Sequence, residues 1–192
     1  MRIARLIAAL AAAALLYGAG ATAPSLGQEI VLDLDPARTT VQFTLADVLH
    51  TVHGTFKLNC GNIRFDPATD KISGEVVVDA TSGNSGSEAR DSRMHKNILE
   101  SGKYPEIVFV PDRVDGSVAP QGESQIQLHG LFRIHGAEHE ITAAVKVQML
   151  NGQPTATAHF TVPYVKWGMK NPSTLLLRVS DKVEVEATAR AR

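Results

Sequence analysis

Two histidines and a glutamate in the spacing His135-Gly136-Ala137-Glu138-His139 are the most explicit chemical signature in this chain. H-x-x-E-H serves zinc peptidases when one helical face presents both imidazoles. Here the pentapeptide lies between two runs of alternating apolar and polar residues, with Gly136 inside it, which describes a hairpin turn. The imidazoles then share no helical face, and a zinc centre is not expected. His50 and His53 make a second pair at the start of a strand, with no third ligand nearby in sequence. Cys60 is the only cysteine, so no intramolecular disulfide forms, and its neighbours Asn59 and Gly61 bring no cation to activate the thiol. No G-x-S-x-G elbow is present, and the acidic pairs Asp33/Asp35 and Glu184/Glu186 alternate outward as solvated strand faces do. Asn171-Pro172-Ser173 fails as a glycosylation site because proline occupies the middle position. These residues describe a protein that is not an enzyme and carries no cofactor. Two features stay open between structural and ligand-contacting roles: the adjacent charges Arg90-Asp91, and Trp167, the only tryptophan.

The elements that must position these residues are strands. Ile126, Leu128, Gly130, Phe132 and Ile134 alternate with polar residues, as do Ile141 to Met149, Ala156 to Val162 and Val183 to Ala189. A period of two places one set on a buried face. Turns punctuate the runs at Asp35-Pro36-Ala37-Arg38, at Asp66-Pro67-Ala68-Thr69-Asp70, and loosely near Asp115-Gly116. Asn151-Gly152 is the strongest hairpin signal. About eight strands result, and strands sharing one apolar face close into a barrel or sandwich. One segment breaks the pattern. Ser82 to Ser87 reads as a flexible polar loop leading into a helix over about 88–100, with Ser87 as N-cap and Gly102 as its stop. Pro105 then opens the next strand, and a lone helix among strands is placed to act as a lid across a barrel end.

The N-terminus reads as a secretory signal peptide over residues 1–21, with cleavage between 21 and 27. Arg2 and Arg5 precede an apolar run from Leu6 to Leu16, and small residues follow from Gly18 to Ala23. The run is shorter than the ~20 residues of a permanent span. A periplasmic or secreted protein is therefore expected, with residues 28–192 forming one domain. Of 19 basic residues, loss of Arg2 and Arg5 leaves 17 against 20 acidic ones, a net charge of −3 with histidine neutral. The charges are scattered, so no basic surface for nucleic acid emerges. Val77 and Leu131 put apolar side chains on outer strand faces, where they would support a homodimer.

The inward positions vary in size. Gly74, Gly130, Ala143, Ala156, Ala158 and Ala187 share a face with Phe43, Phe56, Phe132 and Phe160. Small residues opposite large ones either let a narrow barrel close tightly or leave an apolar tunnel, and the pattern does not choose between them.

Several segments together resemble the YceI-like family of exported lipid-binding proteins. They are Asp35-Pro36-Ala37, Val41, Phe43, Gly54-Thr55-Phe56, Ile63, Phe65-Asp66-Pro67 and Arg90-Asp91 with Met94. Tyr104 to Phe109, the Gly130 to Gly136 hairpin and Trp167-Gly168-Met169 continue the likeness over nearly all of the chain after the leader. Arg38 and Asp47 depart from the family pattern, in which that strand often carries histidine. The resemblance implies an all-β fold, an eight-stranded antiparallel lipocalin-like barrel, holding a long polyisoprenoid chain with transient contact to a membrane surface. On that reading the tail meets Phe43, Leu45, Phe56, Val76, Val78, Phe109, Leu128, Phe132, Val145, Ala158 and Phe160. Arg90, Asp91, Met94 and Trp167 then frame the mouth. Two other classes remain open: a metal-dependent stress protein using the surface histidines, and a packed barrel acting on a protein partner.

Overall fold

In a computed structural model the chain is described over residues 29–46, 51–174 and 178–190. The expected signal peptide, Asp47 and His50 lie outside the described residues. Nine strands form one antiparallel sheet: β1 Ile30–Asp33, β2 Thr40–Ala46, β3 Thr51–Asp66, β4 Lys71–Asn84, β5 Glu106–Asp115, β6 Gly122–Ile134, β7 Ala137–Leu150, β8 Gln153–Val162 and β9 Val183–Arg190. Their order, β1-β3-β2-β9-β8-β7-β6-β5-β4 with β3 also paired to β4, closes β2 through β9 into an eight-stranded ring. Strand β1 does not widen the ring. It pairs with Asn62 to Phe65 of β3, whereas β2 pairs with Thr51 to Phe56, so the two take turns along one long partner. The turn between them tucks Leu34 into the wall, where its amide donates to the Gly61 carbonyl.

Closure leaves no free edge along the ring, and the strands bend where the register slips. Shifts occur between Thr55 and Lys57, between Leu58 and Cys60, and between Pro111 and Arg113. Proline has no N–H for the ladder, so Pro111 sits where the ladder is already interrupted. The two tightest hairpins use left-handed pairs, Asn151 (φ 51) with Gly152 (φ 76) and His135 (φ 53) with Gly136 (φ 78). Such turns match the twist of the strands they join.

Antiparallel alternation sorts the connections into two ends. The 67–70, 116–121 and 151–152 turns share one end. The 85–105 segment, the 135–136 turn and the 163–174 and 178–182 segments share the other. The first of these bears out the short helix and corrects the start of the expected loop. Ser82 to Asn84 belong to β4, and the helix over 88–100 is a single α-turn segment, α1 (Glu88–Arg93), running into a π-helical turn, Met94–Ile98. The π turn is set by the Leu99 amide donating to the Met94 carbonyl. Ser87 has the extended backbone of an N-cap but no capping side-chain bond, and Glu100 at φ 47 ends the helix before Gly102. A helix this short is marginal alone. It persists because Met94, Ile98 and Leu99 pack onto the barrel's apolar end.

The outer face corrects one expectation about dimer contacts. Leu131 and its cross-strand neighbour Val110 are 38% and 40% exposed, but Val77, set between Cys60 on β3 and Val108 on β5, is buried at 8%. Cys60 is an exposed residue at a bulge of β3.

Candidate functional site

The ring encloses a cavity of about 590 Å3 running through its length. Along β6 its lining extends from Ile126 to Ile134. Eight residue steps at about 3.3 Å, tilted near 40°, make it roughly 20 Å deep. All nine strands contribute, each through its inward set, so the alternation seen in the sequence becomes the cavity wall. The small residues leave space rather than merely letting the wall close. Ala143, Ala156, Ala158 and Ala187 line the cavity together with Phe43, Phe56, Phe132 and Phe160. Gly130 acts differently: a Cβ there would lie 2.3 Å from the Val110 carbonyl oxygen and 2.7 Å from the Phe109 ring. At Gly74 (φ 116) a Cβ would meet the Asn62 backbone at 1.9 Å. Both glycines admit close backbone approach and do not shape the space.

Thirteen of the fifteen residues expected to meet the ligand line this cavity: Phe43, Leu45, Phe56, Val76, Val78, Arg90, Met94, Phe109, Leu128, Phe132, Val145, Ala158 and Phe160. Asp91 does not. Its carboxylate turns back to accept from the backbone N–H and the hydroxyl of Ser85. Arg90 completes the network, its Nε donating to Ser85 Oγ at 2.8 Å and Nη2 to the Ser85 carbonyl at 2.9 Å. The pair is thus a structural clamp on Ser85, with Arg90 also facing the cavity. Trp167 is the second exception. Its indole stacks on the His139 imidazole, with centroids 4.1 Å apart and planes 2° from parallel, and leans on Phe132 at 6.0 Å. Tyr164 and Met169 of the same loop line the cavity in its place. Sequence reasoning missed them, along with Leu34, Ile98, Leu99 and Arg93. Arg93 was traceable, since it stands three residues from Arg90 on the same helical segment.

The histidines separate as the hairpin required. His135 Nε2 meets Glu100 at 3.2 Å, and its ring lies 5.0 Å from Tyr104. His139 points inward against Trp167, its Nε2 covered and without a hydrogen-bond partner among the described residues, and burial holds its pKa below the ordinary range. His53 contacts the Thr44 hydroxyl. Among the described residues no three of His, Cys, Asp and Glu come together as metal ligands would.

Polarity is distributed unevenly along the cavity. Besides Tyr164, the lining residues of polar type are Thr39, Gln42, Ser85, Ser87, Arg90 and Arg93, and no acidic residue is among them. Tyr164 is occupied elsewhere: its hydroxyl donates to the Ser180 carbonyl at 2.7 Å, and burial with nearby Asp181 pushes its pKa up to about 12. The exposed lining residues, Gln42, Ala89, Arg90 and Arg93, stand toward the helix end, which is therefore the mouth. Thr39 Oγ1, toward the end that carries the 151–152 turn, is buried without a partner among the described residues.

A closed eight-stranded antiparallel barrel with a through-running apolar cavity and a helix across one end defines a lipocalin-like container. Residues 32–191 match the YceI-like domain model, and the chain belongs to that family. No curated protein matches the sequence. The fold is shared with BcnA of Burkholderia cenocepacia, at 19% identity and a TM-score of 0.72, over 83% of this chain and 100% of that one. It is shared too with a polyisoprenoid-binding domain of Saccharophagus degradans implicated in plant cell wall breakdown, at 16% identity and a TM-score of 0.62, over 83% and 98% of the two chains. A YceI protein of Campylobacter jejuni is similar at 16% identity and a TM-score of 0.55, over 75% and 87%.

Proposed function

We propose that this protein is a non-enzymatic, exported carrier that holds a long isoprenoid chain inside its barrel for transport or storage. The cavity of about 590 Å3, apolar from the end of the 151–152 turn toward the helix, is the observation that carries the reading. A polyisoprenoid in water leaves its whole apolar surface hydrated, at about 25 cal/mol per Å2. A lipid that crosses or waits in an aqueous compartment therefore needs a walled interior. The leader-like N-terminus supports export, and the Saccharophagus degradans domain of the same fold is one that binds polyisoprenoid. The ligand enters at the helix end, where α1 and the 163–169 segment frame the mouth and would touch the membrane surface during exchange.

Mass spectrometry of the organic extract from protein exported and purified in its natural host tests this. A stoichiometric isoprenoid or quinone-like lipid is expected. A folded protein that yields no lipid in the extract, and takes up none when lipid-free protein is offered isoprenoid, would overturn the proposal.

A further inference from the structure

The ladders of the ring do not all reach the helix end. β6 and β7 pair from Gly122 and Met149 up to Ile134 and Ala137. The β7–β8 ladder stops at Ala144 and His159, and the last residues of β8, Phe160 to Val162, pair with β9 alone. Pro163 has no N–H to carry β8 further. Residues 137–143 of β7 therefore have a ladder partner on the β6 side only, and Ile141 and Ala143 in that stretch line the cavity. The 163–169 segment meets them there. It is bonded to itself, the Trp167, Gly168 and Met169 amides donating to the Pro163, Val165 and Tyr164 carbonyls at 3.1, 3.0 and 3.0 Å. It is also tied toward β9: the Val165 amide donates to the Asp181 carbonyl at 3.3 Å, and the Tyr164 hydroxyl to that of Ser180 at 2.7 Å. Toward β6 and β7 it makes no hydrogen bond or ion pair among the described residues. What holds it on that side is the Trp167 indole on His139, its lean on Phe132, and the packing of Tyr164 and Met169 into the apolar core.

We infer that the 163–169 segment is a gate in the barrel wall between β7 and β8, latched by the stack of Trp167 on His139. This rests on the carrier reading above and names the part that moves. Breaking one ring contact frees the segment on the β7 side while its bonds to residues 180 and 181 stay made. Tyr164 and Met169 leave the cavity wall with it, and the chamber opens sideways beside Ile141 and Ala143. Contacts between apolar side chains are non-directional and can slide and re-form, whereas parting a strand ladder would leave N–H and C=O groups unpaired. A long chain can then leave along its side instead of being threaded lengthwise past α1. Neither Trp167 nor His139 lines the cavity, so the latch governs passage without touching what is held.

Stopped-flow fluorescence of the apolar dye N-phenyl-1-naphthylamine, taken up on mixing with lipid-free protein and released on dilution, tests the gate. His139→Ala and Trp167→Ala should each speed both uptake and release by about threefold to tenfold, the worth of one aromatic pair. Because both rates rise together, the dissociation constant should stay within about twofold of wild type. His139→Phe keeps a ring against the indole and should restore near wild-type rates. Trp167 is the only tryptophan, so in His139→Ala its fluorescence should also become more accessible to acrylamide, a readout that holds even if Trp167→Ala fails to fold. Unchanged rates in His139→Ala, with the dye still bound, would overturn the gate and leave the carrier reading intact. A weaker affinity at an unchanged uptake rate would make the stack part of the binding wall and overturn the gate too. So would an equal acceleration in Asp91→Asn, which weakens the clamp on Ser85, because the mouth would then be loosening as a whole. Wild-type protein that binds no dye would count against the carrier reading itself.

Discussion

Emptying the barrel should lower its melting temperature, and plugging it at Ala158 should remove that dependence. At about 24 cal/mol per Å3 of unfilled space, a cavity of 590 Å3 forgoes roughly 14 kcal/mol of packing. That equals the net stability of many whole domains, about 5–15 kcal/mol. Even if side-chain relaxation and water at the mouth recover three quarters of it, roughly 3.5 kcal/mol separates the filled from the empty state. For a domain of this size each kcal/mol moves Tm by about 2–4 °C, so stripping the lipid should lower Tm by about 10 °C. Ala158 faces the cavity midway along β8, opposite Val145 on β7 and Ala187 on β9. Ala158→Trp fills part of the same space with a ring that itself buries about 150–250 Å2. The variant should copurify with no isoprenoid, melt at or above the stripped wild type, and gain nothing when lipid is added. Ala187→Leu, a smaller plug from the neighbouring strand, should weaken lipid uptake in the same direction if Trp disturbs the wall. Differential scanning calorimetry with lipid analysis of the same samples reads both effects. Identical melting of loaded and stripped wild type, or undiminished lipid in Ala158→Trp, would refute the reasoning.

Two further expectations concern the frame around the cavity. Burial lowers the His139 pKa, so the unfolded chain binds a proton there more readily than the folded one. The contribution of the neutral ring is then full above about pH 6.5 and lost as pH falls below it. His139→Phe keeps the stack on Trp167 and should flatten urea-derived stability between pH 6.5 and 5 relative to wild type; an unchanged slope would mean other groups carry it. Gly130 and Gly152 separate space from backbone conformation. Gly130→Ala drives a Cβ to 2.3 Å from the Val110 carbonyl and should cost about 1–3 kcal/mol. Gly152→Ala meets nothing within 4 Å but must hold φ 76, costing about 1–2 kcal/mol. Chemical denaturation measures both, and neither should alter lipid content.

Much of this architecture was legible because the side-chain period of a strand is a local property. Ile141, Ala143, Val145 and Val147 alternate in the sequence and face one cavity in the fold, and the 151–152 hairpin was written in two residues. Residues 82–84 of the expected loop were misread because Ser, Gly and Asn lower strand propensity. The ladder continues there through partners on β3 that local composition does not show: the Lys57 amide donates to Ser82 Oγ, and Thr55 pairs with Asn84. Trp167 and Asp91 were misplaced for a related reason. Their types suit a ligand, but a tertiary neighbour takes each of them first: His139 stacks on the indole, and Ser85 engages the carboxylate. The cavity itself was not readable, because its volume is a difference between the circumference of eight paired strands and the side chains that fill it. One sequence of inward alanines and phenylalanines serves a packed barrel or a hollow one, and register decides which. In this register Ala158 stands beside Ala187 while Phe132 and Phe160 pair edge-on at 5.6 Å, so small side chains adjoin across the wall and the large ones cluster toward the helix end. Free volume is thereby collected into one continuous chamber. Scattered voids would only weaken the core, whereas one continuous chamber gives a long apolar ligand a place to restore the missing packing.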